Sequence, residues 1–169
     1  GQKVYCKDDL KEAITLYVQD AVTRLRSEKQ LCGCIIVFVQ SNPFDSSQPF
    51  YKKSESFALP EPSDNSLVLS KIATAMIDGL YKEDVAFKKC GVILTCLESK
   101  EHHIYDMFTD MTHVELSDRL MESLDDIHKK FGKQKIAIGA SMMPNRAWNM
   151  SRNRLSQNYF KWDQLLTIK

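Results

Sequence analysis

Apolar positions recur along this chain with two different periods. Leu10, Ala13, Ile14, Tyr17, Val18, Ala21 and Leu25 fall three or four residues apart, which is one stripe of an amphipathic helix. Asp8 and Asp9 offer its N-cap, and Arg24, Arg26 and Lys29 suit its C-terminal end. Residues 31–40, LCGCIIVFVQ, are almost all apolar, rich in Ile and Val, and too few for a helix that buries itself. They predict a central strand with both faces covered or partly covered. Asn42, Pro43, Asp45, Ser46, Ser47 and Pro49 then end regular structure. Alternation returns over residues 51–57, so the pair is a hairpin with a long polar connection. LPEPSDNS makes a further break, with Ser63, Asp64 or Ser66 able to cap a second helix whose stripe is Leu69, Ile72, Ala73, Met76 and Leu80. Residues 87–97 predict another strand, with Cys90, Val92, Leu94 and Cys96 on one face. Residues 2–6 predict a short opening strand.

The order strand, helix, strand, strand, helix, strand predicts an α+β fold of the ferredoxin-like split βαβ type (β-α-β-β-α-β), with two helices on one face of a sheet. Such a fold settles nothing about activity. Beyond Glu98 the chain turns polar and aperiodic, apart from an apolar island at Ile104, Tyr105, Met107 and Phe108. A third helix is expected over residues 116–131, with Leu116, Leu120, Leu124, Ile127 and Phe131 inward and Gly132 as its stop. Residues 135–140 predict a short strand, followed by an extended tail carrying Trp148, Trp162 and the basic Arg146, Arg152, Arg154 and Lys161. The expected organisation is therefore a domain over residues 1–100, a linker over 101–113 and an extension over 114–169.

Composition narrows the classes. The 169 residues suffice for one modest domain or a small domain with an extension, and 43% hydrophobic with 27% charged is ordinary for a globular chain. Net charge is +1, so attraction to nucleic acid has to come from local patches. No run approaches the ~20 apolar residues of a membrane span. A start on GQKVYCKDD predicts a piece of a larger protein. Five cysteines without small-scaffold spacing predict a reducing, cytoplasmic setting.

Candidate chemistry is sparse. Cys32, Cys34, Cys90 and Cys96 lack structural-zinc spacing and lie in apolar strand sequence, so they predict small buried thiols. His102, His103 and His113 predict solvated side chains, and the pair Asp125 and Asp126 a solvated helix face. No Ser/His/Asp order, phosphate-binding glycine loop or His-Glu-x-x-His pattern is present, and no catalytic site emerges. What remains is basic. Lys52 and Lys53 enter one strand, Lys88 and Lys89 another, with Ser54 and Ser56 beside the first pair. Edge-strand lysines also discourage sheet-to-sheet aggregation. Two such pairs on strands that can lie together point to phosphate contacts, with Lys3 as a further candidate. KKCGVILT carries no stacking aromatic, which argues against sequence-specific RNA recognition.

Several segments carry a resemblance: GQKVYCKDDLKEAI, VFVQSNPF, KKCGVIL over residues 88–94, and the closing RNRLSQNYFKWDQLLTI. Together they resemble the C-terminal part of UmuC-type members of the Y family of translesion DNA polymerases, the catalytic subunit type of bacterial DNA polymerase V. The likeness covers essentially the whole chain. It implies that residues 1–100 are a little-finger domain that lies against double-stranded DNA. It places the metal-binding carboxylates, and their Mg, in a palm domain outside this chain.

The resemblance also implies partners. Family members reach a sliding clamp through a peptide of the type Gln-x-x-Leu-Phe, and Ile104, Tyr105, Asp106, Met107 and Phe108 occupy that place. Ile104 stands where Gln is expected, with His103 as a polar group one residue earlier. An apolar island docking on its own domain is the other reading. Docking by UmuD′ in the SOS response is implied too, with Trp148, Tyr159, Phe160 and Trp162 as anchors, and RecA as a further partner. Two function classes stand at this point: a DNA-binding and protein-docking part of a polymerase, and a ferredoxin-like regulatory or interaction domain without DNA binding.

Overall fold

In the computed structural model, which describes residues 3–132 and residue 136, the elements run α1 (Lys7–Ser27), β1 (Gln30–Ser41), β2 (Lys52–Ser63), α2 (Ser66–Leu80), β3 (Phe87–Ser99) and α3 (Met111–Phe131). The sheet has the order β2-β1-β3 with antiparallel pairing throughout. Helices and strands in this order make an α+β chain consistent with the split βαβ expectation. β1 is the central strand, as its apolar run predicts. The expected opening strand is reduced to one antiparallel bridge, in which Val4 and Phe87 exchange backbone hydrogen bonds of 2.9 and 2.8 Å. The next carbonyl, that of Tyr5, accepts from the Tyr81 hydroxyl at 2.9 Å.

Helices α1 and α2 pack on each other and on one face of the sheet. Ile14, Val18 and Val22 of α1, Leu69, Ala73 and Ile77 of α2, and Ile35, Val37 and Val39 of β1 are all fully buried in one cluster. Each such side chain contributes roughly 1.5–3 kcal/mol through its removal from water. The caps differ in detail from expectation. α1 starts at Lys7 behind Cys6, which gives no side-chain cap bond, so Asp8 and Asp9 lie in the first turn and act on the helix dipole instead. α2 is capped by Asn65, whose side chain accepts from the Leu67 and Val68 amides at 2.8 and 3.3 Å.

β2 continues to Ser63, past the break expected after Phe57. Its partner register jumps from Ala58 to Ser63, and Pro60 and Pro62 lie in the stretch that leaves the ladder. An edge strand tolerates this, since its outer N–H groups have no partner to lose. The connection between β1 and β2 is tied down. The Gln48 amide exchanges two bonds with the Ala86 backbone, at 3.0 and 2.9 Å, and the Tyr51 hydroxyl donates to the Leu80 carbonyl at 2.9 Å.

α3 departs most from expectation. It starts at Met111, capped by the Asp110 side chain, and ends at Gly132 with φ 83°, the expected stop. Its expected inward stripe is not inward: Leu116, Leu120 and Phe131 are exposed, Leu124 and Ile127 half-buried, and Met121 alone is buried. Polar contacts hold the helix on the body. The Arg26 guanidinium donates to both oxygens of Asp125 at 2.6 and 2.7 Å, the Lys100 ammonium bridges Asp64 and Asp118 at 2.8 Å each, and the Asn65 amide donates to Ser117. Asp125 is therefore a docking group rather than part of a solvated face. The cysteine expectation also needs correcting, because Cys32 is buried, Cys34 and Cys90 are intermediate, and Cys6 and Cys96 are exposed. Cys96 sits at φ 52°, which turns its backbone out of the strand alternation. No helix among the described residues is long and apolar enough to cross a membrane.

Candidate nucleic-acid interface

The two faces of the sheet differ. On the helix side lie Val39, Val37 and Ile35, flanked on β3 by Cys90, Val92 and Leu94, which pack against the core. The intervening residues face the other way, and no helix among the described residues covers them. Register sets four rows across β2, β1 and β3 on this open face: Lys52–Gln40–Lys89, Ser54–Phe38–Gly91, Ser56–Ile36–Ile93 and Ala58–Cys34–Thr95. Neighbouring strands lie about 4.8 Å apart, so Lys52 and Lys89 flank Gln40 at a separation of about 10 Å. Neither lysine makes a salt bridge among the described residues. The four rows contain no carboxylate.

Of the seven residues singled out for phosphate contact, Lys52, Ser54, Ser56 and Lys89 thus come together on one surface. The others do not join them. Lys53 points to the helix side and donates to the Gly79 carbonyl at 2.7 Å. Lys88 is exposed at the point where the β1–β3 register shifts, and is already engaged in an interaction. Lys3 pairs with Asp45, whose carboxyl is held down to about 2 by that hydrogen bond and by those from Ser47. No local pattern marks Gln40, Phe38, Ile36 and Ile93 as members of this surface. Only the register, a long-range property, joins them to the lysines.

The segment after β3 splits in two. Ile104, Met107 and Phe108 are 90%, 86% and 86% exposed and do not dock on their own domain. Tyr105 turns back instead, its ring edge-on to His103 at 4.5 Å, and burial pushes its hydroxyl pKa up. His103 is not the solvated side chain expected. It lies between two carboxylates, Nε2 at 2.9 Å from Glu61 and Nδ1 at 2.5 Å from Glu98, and is 7% exposed. So engaged, it cannot stand in for a glutamine. His102 and His113 are exposed.

Between the end of α1 and α3 runs an open groove of about 810 Å³, lined by Arg26, Lys100, Asp118, Met121 and Asp125 among others. Arg26 is paired there with Asp125, and Lys100 with Asp64 and Asp118. No group of three or more His, Cys, Asp or Glu among the described residues is placed to hold a metal. The expected strand at residues 135–140, and Trp148, Tyr159, Phe160 and Trp162, lie outside the described residues.

A family model described as the impB/mucB/samB family C-terminal domain matches residues 1–107. The chain belongs to this family. A second model, described only as a domain of unknown function, matches residues 118–168, which takes in most of α3. Among curated relatives, UmuC of Salmonella typhimurium is 29% identical over 170 residues, covering 100% of this chain and 40% of the relative. MucB of Salmonella typhimurium and MucB of Escherichia coli are each 30% identical over 159 residues, covering 94% of this chain and 37% of the relative. The chain spans about two fifths of the length of these relatives. The resemblance to the C-terminal part of UmuC-type proteins is thus borne out, and the open sheet face is a feature of an impB/mucB/samB C-terminal domain.

Proposed function

We propose that this chain is the non-catalytic, DNA-gripping and partner-docking part of an error-prone translesion DNA polymerase acting in SOS repair. The observation that carries this reading is the row Lys52–Gln40–Lys89 on a sheet face free of carboxylates, in a chain related to UmuC and MucB. Lysine ammonium groups here contact phosphates as point charges, and Ser54 and Ser56 add hydroxyl donors. Grip of this kind is indifferent to sequence and driven by counterion release. Nucleotidyl transfer, with its Mg, belongs to a palm region of the parent.

The test is duplex binding against salt. Replacing Lys52 and Lys89 together with Ala should weaken all duplexes alike and flatten the salt slope by roughly one unit per lysine. Unchanged affinity would leave a ferredoxin-like interaction domain without DNA binding as the better account.

Docking is assigned to two further places. The exposed Met107 and Phe108 would enter an apolar pocket of the sliding clamp, with Ile104 at its rim. A lone peptide of this size binds weakly, so capture depends on tethering to a polymerase already on DNA. Changing both to Ala should abolish clamp capture and spare duplex binding, and Ile104→Gln should tighten capture. UmuD′ is assigned to the region after residue 110, where Leu116, Leu120 and Phe131 of α3 are exposed; Trp148, Tyr159, Phe160 and Trp162 are its further anchors. RecA is the remaining partner of this reading.

A further inference from the structure

Phe38 lies in the C-terminal half of the central strand, on the face that no described helix covers. Its two neighbours across the sheet are Ser54 and Gly91, so no bulky side chain walls the ring in. Gly91 is the reason the ring can come down on β3. A Cβ there would stand 2.6 and 2.7 Å from the ring's Cζ and Cε1 atoms, closer than atoms pack. Phe38 remains only partly buried, and the row beyond it continues the apolar floor with Ile36 and Ile93, the latter 48% exposed. On the other side, one row away, are Lys52 and Lys89, the only charged groups in the four rows.

We propose that this face binds single-stranded DNA by stacking an unpaired base on Phe38 while Lys52 and Lys89 hold the phosphates on either side. The inference rests on the DNA-binding reading above and narrows it to an unpaired strand. Base faces in a duplex are covered by their neighbours, whereas a single strand presents them, and every base has one. A partly buried aromatic between a serine and a glycine, next to lysines without a salt bridge among the described residues, supplies both parts of such a contact. β3 itself has no aromatic for this purpose; β1 places one opposite Gly91.

Fluorescence anisotropy with a thymidine oligonucleotide of about twelve nucleotides, and with a duplex of similar length, tests it on the full chain. Phe38→Leu should weaken the oligonucleotide on the order of tenfold, change the duplex by less than about twofold, and leave the salt slope as it was. Phe38→Tyr should keep the platform and the affinity, and Gly91→Ala should repeat the Leu loss by displacing the ring. Lys52→Ala with Lys89→Ala should weaken both nucleic acids and flatten both slopes. Circular dichroism confirms that each variant is folded, and the comparison of Phe38→Tyr with Gly91→Ala decides the matter if Phe38→Leu is not. Equal single-strand affinity of the aromatic-retaining and ring-displaced proteins, or an equal loss on the duplex, overturns the stacking contact. Failure of the unaltered chain to bind either nucleic acid overturns the DNA-binding reading itself.

Discussion

Helices α1 and α3 are each 21 residues long, both amphipathic in sequence, and they belong to the body in opposite ways. α1 buries nine residues, most of them apolar, between α2 and the sheet. α3 buries Met121 and otherwise rests on hydrogen bonds and ion pairs to Arg26, Asn65 and Lys100. An apolar stripe says that a helix has something to cover, and leaves open what covers it. Burial of α1 is cooperative with the fold, because its contacts are the core. The grip on α3 is polar and local, so α3 should open at lower free energy than the rest.

That contrast is testable residue by residue. Ile14→Ala in α1 should destabilise the whole domain by about 2–5 kcal/mol in urea denaturation, the cost of lost burial plus a cavity. Leu120→Ala on the exposed stripe of α3 should change global stability by no more than about 0.5 kcal/mol. Equal effects at the two sites would show that the stripe is covered in solution. Met121→Ala should cost about 2 kcal/mol, appearing as faster hydrogen exchange in α3 while α1 amides keep their protection.

Arg26→Met should cost α3 a further docking contact of about 1–2 kcal/mol, since it removes both bonds to Asp125 and strands the Asp64 carbonyl and Ser66 hydroxyl. Exchange of α3 amides reads this too, and the loss should be larger at low salt than at high salt. Lys100 adds a pH signature. Burial works against its charge, yet the carboxylates of Asp118 and Asp64 raise its pKa above the ordinary lysine value. A raised lysine pKa stabilises fully below the unfolded value of about 10.4 and ceases to as pH climbs through the folded one. Protection of α3 should therefore hold at neutral pH and decline only in strong alkali, a decline that Lys100→Met should abolish.

Much of the fold was legible because its signals are local. The periods of α1, α2, β1 and β3 each lie within a window of about a dozen residues, and burial followed them. The misses are long-range. Asp125 looked solvated because its partner, Arg26, lies 99 residues earlier. His103 looked free because Glu61 and Glu98 reach it from two different strands. α3 starts earlier than its apolar period because Asp110 and Met111 sit in a polar stretch where no such period begins. At the candidate interface the lysine pairs stood out in the sequence, but alternation sends one of Lys52 and Lys53 to each face, and only register could say which.

The thiols of β3 have a practical consequence. Burial pushes the Cys90 thiol up to about 11, so at pH 7 only on the order of one molecule in ten thousand carries the thiolate that a maleimide attacks. Cys6, before α1, and Cys96, near the end of β3, are exposed instead. Brief alkylation at neutral pH should therefore tag these two places first, and delayed tagging of Cys90 would time the moment at which α1 lifts from the sheet.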